Sequence, residues 1–380
     1  MTTELSPESL DEAPGRSRKS SMSLERILIG GTIAVLAVIP LFASEFFYSF
    51  VLVWVLWLGI AGASLIFLAT YGGMVSLAQT LFYGMCGFII GNVVTEGGSK
   101  GLNLGLDPWV GVVLGITITT AVAFVMGLVA SRSTGLYFLM ITLTFGVIGF
   151  YFFGQVTQLS GFGGINQIRA PGFIGEPGEH PATLYYVALG LSVAVLAGLR
   201  YVVRTPFGLA VQGVRDDPVR MSSLGYNVPF IRTLAFTLGA FVASTAGVIF
   251  VWFNRAISPS SISLGGILVV LIIAVIGGMS RFEGAWIGAF IYVFILNNVR
   301  SVPLVDKIGI TEARFNTIIG VIFLLIVLLS PDGVVGISNR IAKFFRRRDD
   351  GSESDPGPDS MSGGSEAKKD DKQETREESQ

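Results

Sequence analysis

The chain has 380 residues, 51% of them hydrophobic, with 26 basic and 27 acidic side chains, a formal net charge of −1 and one cysteine, Cys86. Charged residues make up 14% against about a quarter in an ordinary soluble protein, and the mean hydropathy is +0.66, so a soluble enzyme is close to excluded. The near-balanced charge and the lack of a basic face with interleaved aromatics argue against nucleic acid as a partner, while one cysteine and one histidine, His180, leave no internal disulfide and no Cys/His metal cluster.

Residues 1–26 are polar and hold Arg16, Arg18, Lys19 and Arg26, the composition of a cytoplasmic N-terminal segment. Beyond them, nine long windows lack Asp, Glu, Lys and Arg: 27–44, 46–95, 108–131, 133–168, 180–199, 233–254, 256–280, 284–299 and 315–331. The window 46–95 is divided by Tyr71-Gly72-Gly73. A helix needs about 20 apolar residues to cross a bilayer, so ten hydrophobic segments are expected, at 27–43, 48–70, 74–94, 108–130, 135–157, 182–203, 230–253, 264–279, 284–300 and 315–330. The runs are continuous rather than alternating, which rules out a strand barrel. The fold expected is an all-α polytopic membrane protein with some segments short or broken and a transmembrane domain over 27–336. The third, eighth and ninth segments are the candidates for tilted, broken or re-entrant chain.

The basic residues set the orientation. Arg340, Lys343, Arg346, Arg347 and Arg348 put the C-terminus in the cytoplasm with the N-terminus, and an even number of crossings then puts Arg132, the loop 200–229 and Arg281 inside. Residues 337–348 read as a basic amphipathic flank on the inner surface or as a plain stop-transfer flank. Residues 349–380 hold 15 charges and no large aliphatic or aromatic side chain, and are expected to be a disordered acidic tail. Cys86 reads as a small buried apolar residue.

There is no Gly-x-x-x-x-Gly-Lys-Ser/Thr loop, and the long windows lack the acids of a proton relay. Neither a catalytic constellation, a metal nor a cofactor is expected. Neutral polar side chains within the segments remain as candidates for a solute pathway: Ser76, Gln79, Thr80 and Tyr83 in the third, Thr142 and Thr144 in the fifth, Asn297 and Asn298 in the ninth. The first four recur at three- and four-residue spacings, which places them on one helical face. Hydrogen bonding between helices is the other reading for each. Gly239, Ala243 and Gly247, and Gly284 and Gly288, have the spacing of close helix packing.

The cytoplasmic loop 205–227 parses as two short helices. The first runs from about Phe207 to Arg215; Asp217 caps the second, Pro218 opens it and Gly225 ends it. Leu209, Val211, Val214, Val219, Met221 and Leu224 give this element an apolar component. A docking element for a cytoplasmic partner and a helix lying on lipid fit equally well.

Several stretches occur in a recognisable order: Gly72-Gly73-Met74-Val75-Ser76-Leu77-Ala78-Gln79, then Thr134-Gly135-Leu136-Tyr137, then Ser160-Gly161-Phe162-Gly163-Gly164-Ile165. Pro206-Phe207-Gly208, Val214-Arg215-Asp216-Asp217, Leu224-Gly225-Tyr226-Asn227, Ser258-Pro259, Gly277-Gly278 and Ser330-Pro331-Asp332-Gly333 follow. Over about residues 60–336 the chain resembles the permease subunits of branched-chain amino acid ABC transporters. The resemblance implies a non-catalytic, multi-pass subunit of a prokaryotic plasma membrane, forming the pathway of an ATP-driven importer. Its partners would be a second, related permease subunit, two cytoplasmic ATP-binding subunits that hydrolyse ATP, and an extracytoplasmic solute-binding protein. Ser76, Gln79, Tyr83, Thr142 and Thr144 would then line the pathway. Gly213, Arg215, Asp216, Asp217, Arg220 and Gly225 would belong to the element that couples to the ATPase. Ala78-Gln79 and Ser160-Gly161-Phe162-Gly163-Gly164 depart from the usual family pattern, and relatives for urea and short amides share the plan. A permease for urea or short amides is the alternative in the same class; an ATPase-independent secondary transporter is a more distant one.

Overall fold

A computed structural model describes residues 30–32, 34–40, 42, 44–96, 101–172, 174, 181–300 and 320. The N-terminal segment 1–26, the flank 337–348 and the tail lie outside this set, as does the expected segment at 315–330 except for residue 320.

Where the chain is described, the apolar windows are helices. They are α1 (Phe47–Tyr71), α2 (Gln79–Val94), α3 (Pro108–Ala130), α4 (Gly135–Gln155), α5 (Pro181–Arg204), α6 (Pro206–Asp216), α7 (Pro218–Ser223), α8 (Val228–Asn254), α9 (Leu264–Gly277) and α10 (Gly284–Arg300). Five of them, α1, α3, α4, α5 and α8, are long and apolar enough to cross a membrane; α2, α9 and α10 are shorter apolar helices. Two short strands, β1 (Ile165–Asn166) and β2 (Ala256–Ile257), pair antiparallel.

Helix α1 is the central post. From Val53 to Ile66 it is buried nearly all round, and it packs against α5, α8, α9 and α10, while α2 and α3 pack on α8 and on each other. Both ends of α1 are π-helical, over Phe47–Leu52 and Phe67–Tyr71. Around this centre, α3 and α4 bury only one stripe each. On α3 the stripe is Gly111, Gly115, Thr119, Ala123, Gly127 and Ala130, a four-residue repeat of small side chains that lets backbones approach. The opposite faces carry exposed Val113, Val125, Val129, Tyr137, Met140 and Ile148. An apolar surface of this extent belongs in a bilayer or against another membrane subunit. The fold is an all-α polytopic membrane protein.

Helix starts follow local chemistry. Asp107 accepts from the Trp109 N–H at 2.9 Å with Pro108 in the first turn of α3. Asn227 accepts from Phe230 N–H at 3.1 Å with Pro229 in the first turn of α8.

Two features depart from the sequence expectation. The third segment begins at Gln79 instead of 74, because residues 72–78 are not helical. Ser76 therefore precedes α2 and does not share a helical face with Gln79 and Tyr83. The chain before α9 also folds back into the bundle as a 3₁₀ turn, Pro259–Ile262. Ile262 is buried there, and a Cβ at Gly84 would fall 2.0 Å from its Cγ2; only glycine at 84 lets that turn reach α2.

Candidate functional site

The cavity that the fold builds around α1 has a volume of about 630 Å³. Trp54, Trp57 and Leu58 of α1, Tyr83 of α2, Phe250 and Asn254 of α8, Ser260 and Ser261 of the 3₁₀ turn, Gly266 and Val269 of α9, and Tyr292 and Asn297 of α10 are among its walls. None of the side chains lining it is charged. Trp57, Tyr83 and Phe250 form a mutually packed aromatic cluster, with ring centroids 5.0 to 5.6 Å apart. Trp57 is buried, and its indole N–H has no hydrogen-bond partner among the described residues. The Tyr83 hydroxyl donates to the Ser261 carbonyl at 2.5 Å, which ties α2 to the inserted turn. A Cβ at Gly247 would fall 2.2 Å from the Tyr83 carbonyl, so glycine there brings α8 against α2 beside the cluster. Helix α9 starts at the cavity, and its Ser263 cap position makes no side-chain cap; its first-turn N–H groups present the positive end of a helix.

The sequence-expected pathway residues are divided by this geometry. Tyr83 lines the cavity; Ser76, Gln79, Thr142 and Thr144 do not appear in its wall. Gln79 is buried, accepts from the Ser64 hydroxyl of α1 at 3.1 Å, and keeps a buried amide nitrogen without a partner among the described residues. Thr80 is buried beside it. Ser76 and Thr142 serve the break instead. The Ser76 hydroxyl accepts from the Ala78 N–H at 3.3 Å, and the Thr142 hydroxyl accepts from the Leu77 N–H at 3.1 Å. Backbone N–H groups freed by unwinding must find such partners away from water. Thr144 lies on the exposed face of α4, its hydroxyl donating to the Met140 carbonyl at 2.9 Å. Asn297 does line the cavity; nothing is described of the Asn298 side chain. Sequence reading missed Trp57 and Phe250, since a Trp or Phe in an apolar run carries no mark that separates a cavity wall from packing.

The loop 205–227 forms the expected pair of helices, α6 and α7. Thr205 caps α6, accepting from the Gly208 N–H at 3.3 Å. Asp217 caps α7, accepting from Val219 and Arg220 N–H at 3.1 and 2.9 Å. Gly225 closes the unit with φ +89°. A Cβ at Gly213 would fall 2.8 Å from the Met221 sulfur, so glycine brings the two helices together. Val211 and Val214 are buried against the bundle, while Leu209, Val219, Leu224 and Tyr226 are exposed with Asp216 and Arg220. Arg215 does not simply face outward. Its guanidinium donates to the Thr70 carbonyl at the end of α1, and it pairs with Asp216 at 2.7 Å.

Comparison with known proteins gives a consistent result. Residues 47–329 match the family described as branched-chain amino acid transport system / permease component. The chain is 30% identical over 199 residues to the high-affinity branched-chain amino acid transport system permease protein LivM of Salmonella typhimurium, covering 46% of this chain and 47% of the relative. The LivM protein of Escherichia coli gives the same figures. The autoinducer 2 import system permease protein LsrC of an Enterobacter species is 28% identical over 272 residues, covering 70% of this chain and 73% of the relative. The match to the LivM proteins spans about half of their length. No solved structure matches significantly.

Proposed function

The chain belongs to the branched-chain amino acid transport permease family, and from that premise we propose that it is the transmembrane subunit of an ATP-driven importer, forming the path of an apolar amino acid. As a member of that family it is a multi-pass protein of the cell membrane. The observation that carries the solute reading is the uncharged, aromatic cavity around Trp57, Tyr83 and Phe250.

An aliphatic side chain gains from apolar walls at roughly 25 cal/mol per Å² removed from water. An ammonium gains about 0.5–2 kcal/mol over an aromatic face, and a carboxylate suits the start of α9 and the free indole N–H of Trp57. Urea or a short amide leaves the aromatic wall uncovered, so the geometry favours the amino acid. The names of the LivM relatives agree with this choice, and the LsrC relatives make autoinducer 2 the control solute from outside it.

In this reading a second permease subunit, two ATP-binding subunits and an extracytoplasmic solute-binding protein complete the importer, and both termini and the loop 205–227 face the cytoplasm. The exposed Leu209, Val219 and Leu224 of α6 and α7 then meet the ATPase. ATP hydrolysis belongs to that partner, and this subunit does no chemistry. Its part is to offer the solute path alternately to the two sides as the ATPases close and open.

The test is uptake of labelled leucine by cells that depend on the complex. Excess isoleucine or valine is expected to compete, and urea, acetamide or autoinducer 2 is not. Trp57→Ala, at unchanged membrane abundance, is expected to raise KM roughly tenfold, the equivalent of about 1.4 kcal/mol. Competition by urea as strong as by isoleucine, or wild-type kinetics in Trp57→Ala, would contradict the reading.

A further inference from the structure

We infer that Arg215 is the positioning residue through which movement of the α6–α7 pair reaches the break between α1 and α2, and so the solute path. This rests on the importer reading above and assigns the residue that transmits its coupling.

Four observations meet at the inner end of α1. First, the Arg215 guanidinium donates to the Thr70 carbonyl. Carbonyls in the last turn of a helix lack partners within it, and a cation there also complements the helix dipole. Second, Gly73 has φ +65°, and a Cβ placed on it would fall 2.6 Å from Arg215 Cγ. The arginine stem occupies the space that only glycine leaves, so the contact is steric as well as polar. Third, Asp216 holds the guanidinium from its other side, the Arg215 Nε donating to Asp216 Oδ1 at 2.8 Å. Fourth, the last two residues of α1 before the break are held from the turn between α9 and α10. The Thr70 hydroxyl donates to the Met279 carbonyl, and Tyr71 stacks on Phe282 with ring centroids 4.8 Å apart and planes 17° apart. Glu283 of that turn pairs with Arg200 of α5.

The break is therefore gripped on one side by a turn fixed to α5 and on the other by a side chain of the cytoplasmic helix pair. Val211 and Val214 are buried against the bundle and hold α6 beside the break. From Gly73 the non-helical chain leads through Ser76, whose hydroxyl caps the Ala78 N–H, into α2. One turn further on is Tyr83 in the cavity wall. A displacement of α6 thus has a continuous covalent and hydrogen-bonded route to the cavity.

The experiment uses the complete complex of this chain with its co-purified ATPase and permease partners in proteoliposomes, with solute-bound binding protein. Solute accumulated per ATP hydrolysed is measured for wild type, Arg215→Met, Arg215→Lys and Gly73→Ala. Arg215→Met and Gly73→Ala are expected to keep ATP hydrolysis and to lose solute moved per ATP by roughly tenfold, within the usual range of coupling energies. Arg215→Lys, which can still donate to the Thr70 carbonyl, is expected to recover part of the ratio. Gly73→Ala keeps the guanidinium but crowds the arginine stem and strains the backbone at φ +65°, so it tests the same contact from the side of the break. An unchanged ratio in both Arg215→Met and Gly73→Ala overturns the inference. Equal loss of hydrolysis and transport in both also overturns it, since that marks a residue of docking or folding. A wild-type complex without ATP-dependent uptake defeats the importer reading itself; coupled wild type with coupled variants defeats this inference alone.

Discussion

Gln79 of α2 and Trp57 of α1 are both buried and play different parts. Gln79 accepts from Ser64, whose hydroxyl also reaches the Ala61 carbonyl at 2.6 Å. Replacing it by leucine leaves Ser64 a partner and removes a buried amide nitrogen that has none. Gln79→Leu is therefore expected to change stability by no more than about 1 kcal/mol and to leave KM for solute unchanged, measured by thermal unfolding in detergent and by uptake. A selective loss of solute affinity at normal stability would return Gln79 to the pathway. The sequence marks Gln79 because a polar side chain stands out in an apolar run. It conceals Trp57 and Phe250 because aromatic residues blend into one. The resemblance names Arg215 in the coupling element but gives no partner for it, and only the missing Cβ at Gly73 reveals that its stem is seated in the break.

Short helices around the cavity depend on backbone contact. A Cβ at Gly288 would fall 2.1 Å from the Ile273 carbonyl oxygen, and one at Gly277 would fall 1.8 Å from the Gly284 carbonyl oxygen. Helices α9 and α10 therefore touch main chain to main chain across the Gly278 turn, where φ is +95°. Backbone atoms cannot rotate away as a side chain can. Gly288→Val is expected to destabilise the protein by at least about 1–3 kcal/mol, read as a lower melting temperature and lower membrane abundance; wild-type values would show that the pair can separate. Glycine spacing alone makes this contact legible in the sequence, as do the apolar windows for most helices. The length of the break after α1 is not legible. Met74-Val75-Ser76-Leu77-Ala78 is apolar and free of proline, so nothing local separates it from the helix that follows. Its non-helical state is supported from elsewhere in the chain, by Thr142 and by the packing of Arg215 on Gly73.

At the scale of the whole molecule, α3 puts small or polar residues inward and large apolar ones outward, and α4 exposes Leu136, Tyr137, Met140 and Ile148. Such an apolar exterior fits a membrane protein surrounded by lipid. The cavity at Trp57, Tyr83 and Phe250 is lined by no charged side chain, and the α6–α7 pair is joined to the break after α1. A secondary transporter would need an ionisable group in its path to couple uptake to an ion gradient; an ATP-driven importer needs a mechanical link to its ATPase. The most direct measurement is accumulation of labelled leucine by proteoliposomes containing the purified complex, with ATP and the ATP-binding subunits on one side and solute-bound binding protein on the other. Accumulation above the external concentration that requires ATP hydrolysis, and stops when the ATPase is omitted or inactivated, is the expected result. Uptake that proceeds equally without ATP, or no leucine uptake by a complex that hydrolyses ATP and transports urea, would contradict the account.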